Sequence, residues 1–151
     1  MKNLILILTV TVFLSCSNSD TKTSTSDLSI TEIGSGNLYG NGAEGILESR
    51  LLITNSVSWN ALLSEMNSVN NVSDSFLETS IDFANYDVIV LFDQVRATGG
   101  FAIEATSVTE NTSSIMVTVN LQTPTGIVPL VITQPFHIYK IAKTTKPVIF
   151  E

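Results

Sequence analysis

The chain has one cysteine and one histidine, and only seven basic residues in 151. A single cysteine excludes an intramolecular disulfide framework and any multi-cysteine metal site. A single histidine removes most zinc chemistry and leaves one imidazole for acid–base work. Seven Lys and Arg stand against fourteen Asp and Glu, a net charge of -7 with a pI near 4.5. That balance lacks the clustered cations a nucleic-acid binder needs, so no nucleic-acid partner is expected. No Gly-x-Ser-x-Gly elbow occurs. The glycines between Ile33 and Gly45 lack the following helix and lysine of a phosphate loop. They read as turns, with one short strand at most. No metal or cofactor is expected. The length suits one domain.

What is present begins with an address. Lys2 is followed by an apolar run from Leu4 to Leu14, broken only by Thr9 and Thr11. The run is shorter than the roughly 20 residues of a membrane span and reads as a signal peptide over residues 1–15. It leads into Phe13-Leu14-Ser15-Cys16, which resembles a bacterial lipobox. There a small residue precedes the cysteine that is lipidated and becomes the mature terminus. Phe13 and Leu14 depart from the usual Leu and small residue. Ordinary cleavage after Ser17 is the alternative and would discard Cys16. The lipobox reading makes the chain a lipoprotein, held at the membrane by acyl chains such as palmitate. Ser17 lacks the acid that often retains lipoproteins in the inner membrane, which points to the outer one. Residues 16–29 then form a lipidated cysteine and a polar tether with almost nothing to bury, and are expected to be disordered. The folded domain is expected over 30–151.

Glu48 to Thr54 reads as a strand. Asn55 or Ser56 caps a short helix whose apolar face is Trp59, Leu62, Leu63 and Met66. Asp87 to Asp93 holds five consecutive apolar residues between acids, the pattern of a central strand buried on both faces. Phe101, Ile103 and Ala105 alternate with Ala102, Glu104 and Thr106. Ile115, Val117, Val119 and Leu121 alternate with Met116, Thr118, Asn120 and Gln122. Glu110–Ser114 and Pro124–Gly126 read as turns. Leu130–Thr133, Phe136–Ile141 and Val148–Phe150 read as strands, with an edge, bulge or loop at Gln134-Pro135. The expectation is a mainly β fold: an antiparallel β-sandwich or flattened barrel of about seven strands, with one short helix packed at an end.

An ordered series then becomes visible. Asp82-Phe83 leads into strand 87–93. Next come Arg96-Ala97-Thr98-Gly99-Gly100-Phe101-Ala102-Ile103-Glu104, the alternating strands, Thr133-Gln134-Pro135-Phe136-His137-Ile138-Tyr139-Lys140-Ile141, and Lys146-Pro147-Val148-Ile149-Phe150. This resembles the C-terminal domain of the PrcB family, whose hallmark is a Thr-Gly-Gly-aromatic turn followed by a strand ending in Glu. Phe101 stands where the family usually has Tyr. The helix around Trp59 also fits, so the likeness runs from about Ile46 to Phe150. The resemblance implies an envelope lipoprotein, and a non-catalytic subunit that associates with and stabilises a cell-surface serine protease. A second similarity is to chagasin-like protease inhibitors, through Thr98–Phe101 and Gln134-Pro135-Phe136. It lacks the Asn-Pro lead-in, and Gln134 stands where arginine is expected.

The residues themselves offer little catalysis. His137 lies in an apolar-aromatic strand between Phe136 and Tyr139. Asp87 and Asp93 are about 20 Å apart along one strand, too far for paired-carboxylate hydrolysis. Asp82 and Asp87 suit strand-end turns. Arg96 is placed to pair with Asp93 or with a partner's carboxylate. The expected protein is therefore not an enzyme. It binds a partner, an envelope protease or another protein, through Arg96, Thr98, Gly99, Gly100, Phe101, Thr125, Gly126, Gln134, Pro135 and Phe136. The glycine pair has two readings, a turn required by the sheet or a backbone surface for a partner. The alternatives are protease inhibition through the same loops and a purely structural envelope lipoprotein.

Overall fold

The computed structural model describes residues 25–151. The signal peptide, Cys16 and the first part of the tether lie outside the described residues. Order is found earlier than Ile30, because Ser26–Asp27 (β1) already pairs with a neighbour. The described residues continue with β2 (Ile30–Leu38), β3 (Ser49–Ile53), α1 (Ser56–Met66), a 3-10 turn at Val72–Ser75, β4 (Tyr86–Phe92), β5 (Ala102–Glu110), β6 (Ile115–Gln122), β7 (Gln134–Ala142) and β8 (Val148–Phe150).

The strands form two separate four-stranded sheets, ordered β1-β5-β6-β8 and β2-β7-β4-β3. The fold is a sandwich and does not close into a barrel. All pairings are antiparallel except β6 with β8. Strand β4 is central and its alternation serves two cores. Ile89 and Leu91 face the other sheet, where they meet Ile103, Val108, Ile115, Val117, Tyr139 and Ile141. Val88, Val90 and Phe92 face the opposite way, onto Trp59, Leu62 and Met66 of α1 together with Ile33, Phe136 and Ile138. The helix therefore covers the outer face of one sheet, making a third layer, and does not sit at an end of the sandwich. The run at 88–92 is uninterrupted because both faces are covered. Burying each such side chain contributes about 1.5–3 kcal/mol.

The start of α1 follows its sequence cue: the Asn55 side chain accepts from the Ser58 N–H at 2.9 Å. Its far end is tied down by Asn67, whose amide side chain bonds both the hydroxyl and the N–H of Ser73.

Four elements differ from the sequence expectation. The glycine-containing stretch after Ile30 is a nine-residue strand with Ile33 and Leu38 buried. A Cβ at Gly34 would lie 2.5 Å from the Phe76 ring, so glycine here makes room for an aromatic in the core. In β5 a bulge between Ala105 and Ser107 reverses the inward parity. Ile103 and Val108 consequently face the same core, although they are an odd number of residues apart. Residues 130–132 form no strand, and only a single bridge between Thr133 and Arg96 marks that segment. Gln134 and Pro135 do not interrupt β7. They begin it, opposite Leu38 and Asn37, and the Pro135 carbonyl accepts from the Asp93 N–H at 2.9 Å. A proline is tolerated this near a strand start, where one missing donor leaves the rest of the ladder intact.

Candidate functional site

After Phe92 the chain leaves β4 and crosses to β5 in the other sheet, and this crossing carries the Thr98–Phe101 turn. Asp93 is 3% exposed and holds the crossing in shape. Arg96 donates to it in a fork, Nε to Oδ2 at 2.6 Å and Nη2 to Oδ1 at 2.8 Å. The hydrogen bonds to Asp93 push the Arg96 guanidinium above its ordinary value and outweigh the effect of burial. The same guanidinium lies over the Phe101 ring, 4.5 Å from its centroid. The pairing foreseen from Arg96 is thus made inside the chain.

The turn in turn seats a second segment, residues 123–133. The Arg96 N–H and carbonyl both bond Thr133, the Thr98 carbonyl accepts from the Thr133 hydroxyl at 3.1 Å, and the Gly99 N–H donates to the Pro129 carbonyl at 3.0 Å. Gly100 has φ +91°, and a Cβ there would lie 2.8 Å from the Pro124 side chain. The glycine pair therefore serves the fold, letting the chain's own prolines approach. Gly100→Ala is expected to lower stability by about 1–3 kcal/mol, from strained backbone plus contact. Gly126→Ala has a similar φ of +84° but nothing within 4 Å of the added carbon. It should cost only the backbone share, about 1–2 kcal/mol. Urea denaturation of both variants measures the difference.

The ten residues predicted for partner contact separate into two groups. Arg96, Thr98, Gly99, Gly100, Phe101, Thr125 and Gly126 converge at one end of the sandwich, with Gly100, Thr125 and Gly126 exposed and Phe101 half-buried. Gln134, Pro135 and Phe136 do not join them. All three are buried in β7, where the Gln134 side chain donates to the Ile46 and Asp93 carbonyls at 2.9 and 3.0 Å and Phe136 packs in the helix-side core. A loop at 134–136, as the inhibitor reading needs, is not there.

Sequence reasoning missed the most exposed part of this end. Ile127 is fully exposed and Leu130 is 93% exposed, with Val131 and Ile132 partly so. Their β-branched composition reads as strand. The usable signal is different: residues 111–136 contain no Asp, Glu, Lys or Arg.

His137 is engaged in structure. Its Nδ1 lies 3.1 Å from the Ile103 carbonyl and 2.9 Å from the Tyr139 hydroxyl, its ring stacks on Tyr139, and its Nε2 is 3.4 Å from Glu32. Burial pushes the Tyr139 phenol up, so it remains a neutral hydroxyl and accepts from the Ala105 N–H. The acids considered for chemistry are likewise occupied. Asp87 pairs with Lys143 at 2.7 Å and accepts from the Thr144 N–H. Asp82 accepts from the Asn85 side chain and the Ala84 N–H in a turn, and these bonds hold its carboxyl below the usual range. Among the described residues no group of three or more His, Cys, Asp or Glu is placed to hold a metal ion, and no helix is long and apolar enough to cross a membrane.

A two-sheet sandwich, with a clamped crossing that carries an exposed loop at one end, defines a small β-sandwich module. Residues 88–142 match the model of the PrcB C-terminal family. The match runs from β4 to the end of β7, shorter than the likeness read from Ile46 to Phe150. It includes both the crossing and the exposed loop. No curated protein and no solved structure matches the chain.

Proposed function

We propose that the chain is a non-catalytic accessory protein of the bacterial envelope, anchored through an acylated Cys16, that binds and supports a partner protein such as a surface protease. The family match over 88–142 is the observation that carries this reading. The internal engagement of His137, Asp82, Asp87 and Asp93 adds support, because each ionisable group considered for catalysis already has a structural partner. The lipobox-like Phe13-Leu14-Ser15-Cys16 supports the anchor, and Ser17 supports the outer membrane.

The test is crosslinking in intact envelopes with a C-terminally tagged full chain, followed by purification and comparison of envelope protease abundance with and without the gene. A stoichiometric partner whose half-life shortens when the gene is deleted is the expected result. Recovery of the chain alone, with protease levels unchanged, would overturn the reading. Mass spectrometry of the mature terminus tests the anchor separately: an acylated Cys16 is expected, and a terminus after Ser17 refutes it.

A further inference from the structure

We infer that the loop at residues 126–132 is the main contact for that partner, and that it inserts Ile127 and Leu130 into an uncharged, apolar pocket on the partner protein. The inference rests on the accessory reading above and specifies its interface. Ile127 is fully exposed and Leu130 is 93% exposed, more than Leu47 at 81% or Val57 and Leu77 at 78%, and they lie three residues apart in one loop. Adjacent exposed aliphatics of this kind mark interaction sites more often than isolated ones do. The loop is also held in place: Pro129 bonds Gly99, Pro124 and Val128 rest against Gly100, Val131 against Gly99, and Thr133 is bridged to Arg96. A preordered loop loses little conformational freedom on docking, and rigid aliphatic anchors filling pockets carry much of an interface's energy.

The chemistry of the pocket follows from what the loop lacks. Residues 111–136 hold no charged side chain, so the loop itself offers no group to pair with a charge on the partner. A charged pocket wall would be stripped of water without compensation. The receiving surface is therefore apolar and uncharged.

Other occupants fit less well. A bilayer is disfavoured by position and composition. Strand β1, and so the chain leading back to Cys16, pairs with Thr109 and Glu110, whereas the crossing and the loop adjoin Ala102 at the other end of β5. Nine residues of strand separate the two ends by about 30 Å. The loop therefore lies at the end of the domain opposite the start of β1. Residues 123–132 also lack the Trp, Tyr, Lys and Arg that seat segments at a membrane interface. A second copy docked head to tail would build a ring or an open chain, and the test below detects it.

The test places a photo-crosslinking residue at 127, at 130, or at the exposed Val57 of α1 as a control, in the full chain expressed in the envelope. Adducts from 127 and 130, but not from 57, to one protein at a segment free of Asp, Glu, Lys and Arg are expected. With that complex purified, Ile127→Ser combined with Leu130→Ser should weaken its Kd about 100-fold or more while the thermal melt stays unchanged. Adducts to lipid, to a second copy of this chain, or to a charged segment overturn the inference. So does a complex whose Kd changes less than threefold, a result that leaves the accessory reading standing. Absence of any complex with the unaltered chain ends both.

Discussion

Trp59→Ala is expected to remove about 3–5 kcal/mol of stability, the largest loss from any single truncation in the helix layer. Typical domains have only about 5–15 kcal/mol in total, so the variant would be marginal or unfolded at growth temperature. Trp59 is 1% exposed and packs in the core that joins α1 to Val88, Val90, Phe92 and Ile138. Its indole Nε1 also donates to the Thr79 carbonyl at 2.8 Å, which fastens the segment between the 3-10 turn and β4. Alanine leaves a cavity and gives up the hydrogen bond to Thr79. Trp59→Phe keeps most of the bulk and should lose less, with about 0.5–1.5 kcal/mol from the lost hydrogen bond, since Thr79 is exposed to water. The chain has one tryptophan, so tryptophan fluorescence disappears with it, and urea unfolding is followed by far-ultraviolet circular dichroism. A loss under about 1 kcal/mol would mean that α1 does not cover the sheet in solution.

How much of this was legible in the sequence depended on whether a local pattern had one physical cause. Strand β4 was legible because five apolar residues in a row require cover on both faces, and the structure supplies it from α1 on one side and β5 and β6 on the other. Helix α1 was legible because Asn55 caps it and Trp59, Leu62 and Met66 share one stripe. Its position was not, because a stripe says that a face is covered without saying by which sheet. Strand β2 was hidden by glycine: Gly34 is there for the Phe76 ring, forty-two positions away in sequence by their numbers, and no local pattern reports such a contact.

The candidate site divides in the same way. The Arg96–Asp93 pair could be foreseen from charge and spacing, and the paired glycines announced a tight backbone approach. What they approach is the chain's own loop at 124–131, a tertiary fact. Gln134-Pro135-Phe136 looked like a loop because proline cannot donate to a ladder, yet the central strand absorbs it near its start. Leu130–Thr133 was misread for the opposite reason. Valine and isoleucine favour strands, but here only Thr133 is bridged, to Arg96, and the Pro129 carbonyl accepts from Gly99.

Asp93→Ala should cost about 3 kcal/mol and, unlike Trp59→Ala, should also reshape the exposed end. The carboxylate is nearly fully buried and accepts both hydrogen bonds of the Arg96 fork, while the Arg96 side chain is itself only 17% exposed. Removing the carboxylate leaves a cation largely out of water with no counter-charge, which is the expensive half of breaking a buried pair. Removing both partners is milder. Asp93→Ala with Arg96→Ala should fall short of the summed single losses by up to about 3 kcal/mol. Arg96→Lys keeps the charge but not the two-pronged contact or the flat stack on Phe101, so it should not restore the parent stability. The structural consequence spreads along the backbone: Arg96 bonds Thr133 through its N–H and carbonyl, and Thr133 closes the segment that carries Ile127 and Leu130. Loss of the Asp93 carboxylate should therefore speed amide hydrogen exchange at Arg96, Gly99 and Thr133, while the amides of β4 and β7 beyond this end stay protected. If the exchange rates of those three amides were unchanged in a folded Asp93→Ala variant, the ion pair would not be what holds the loop.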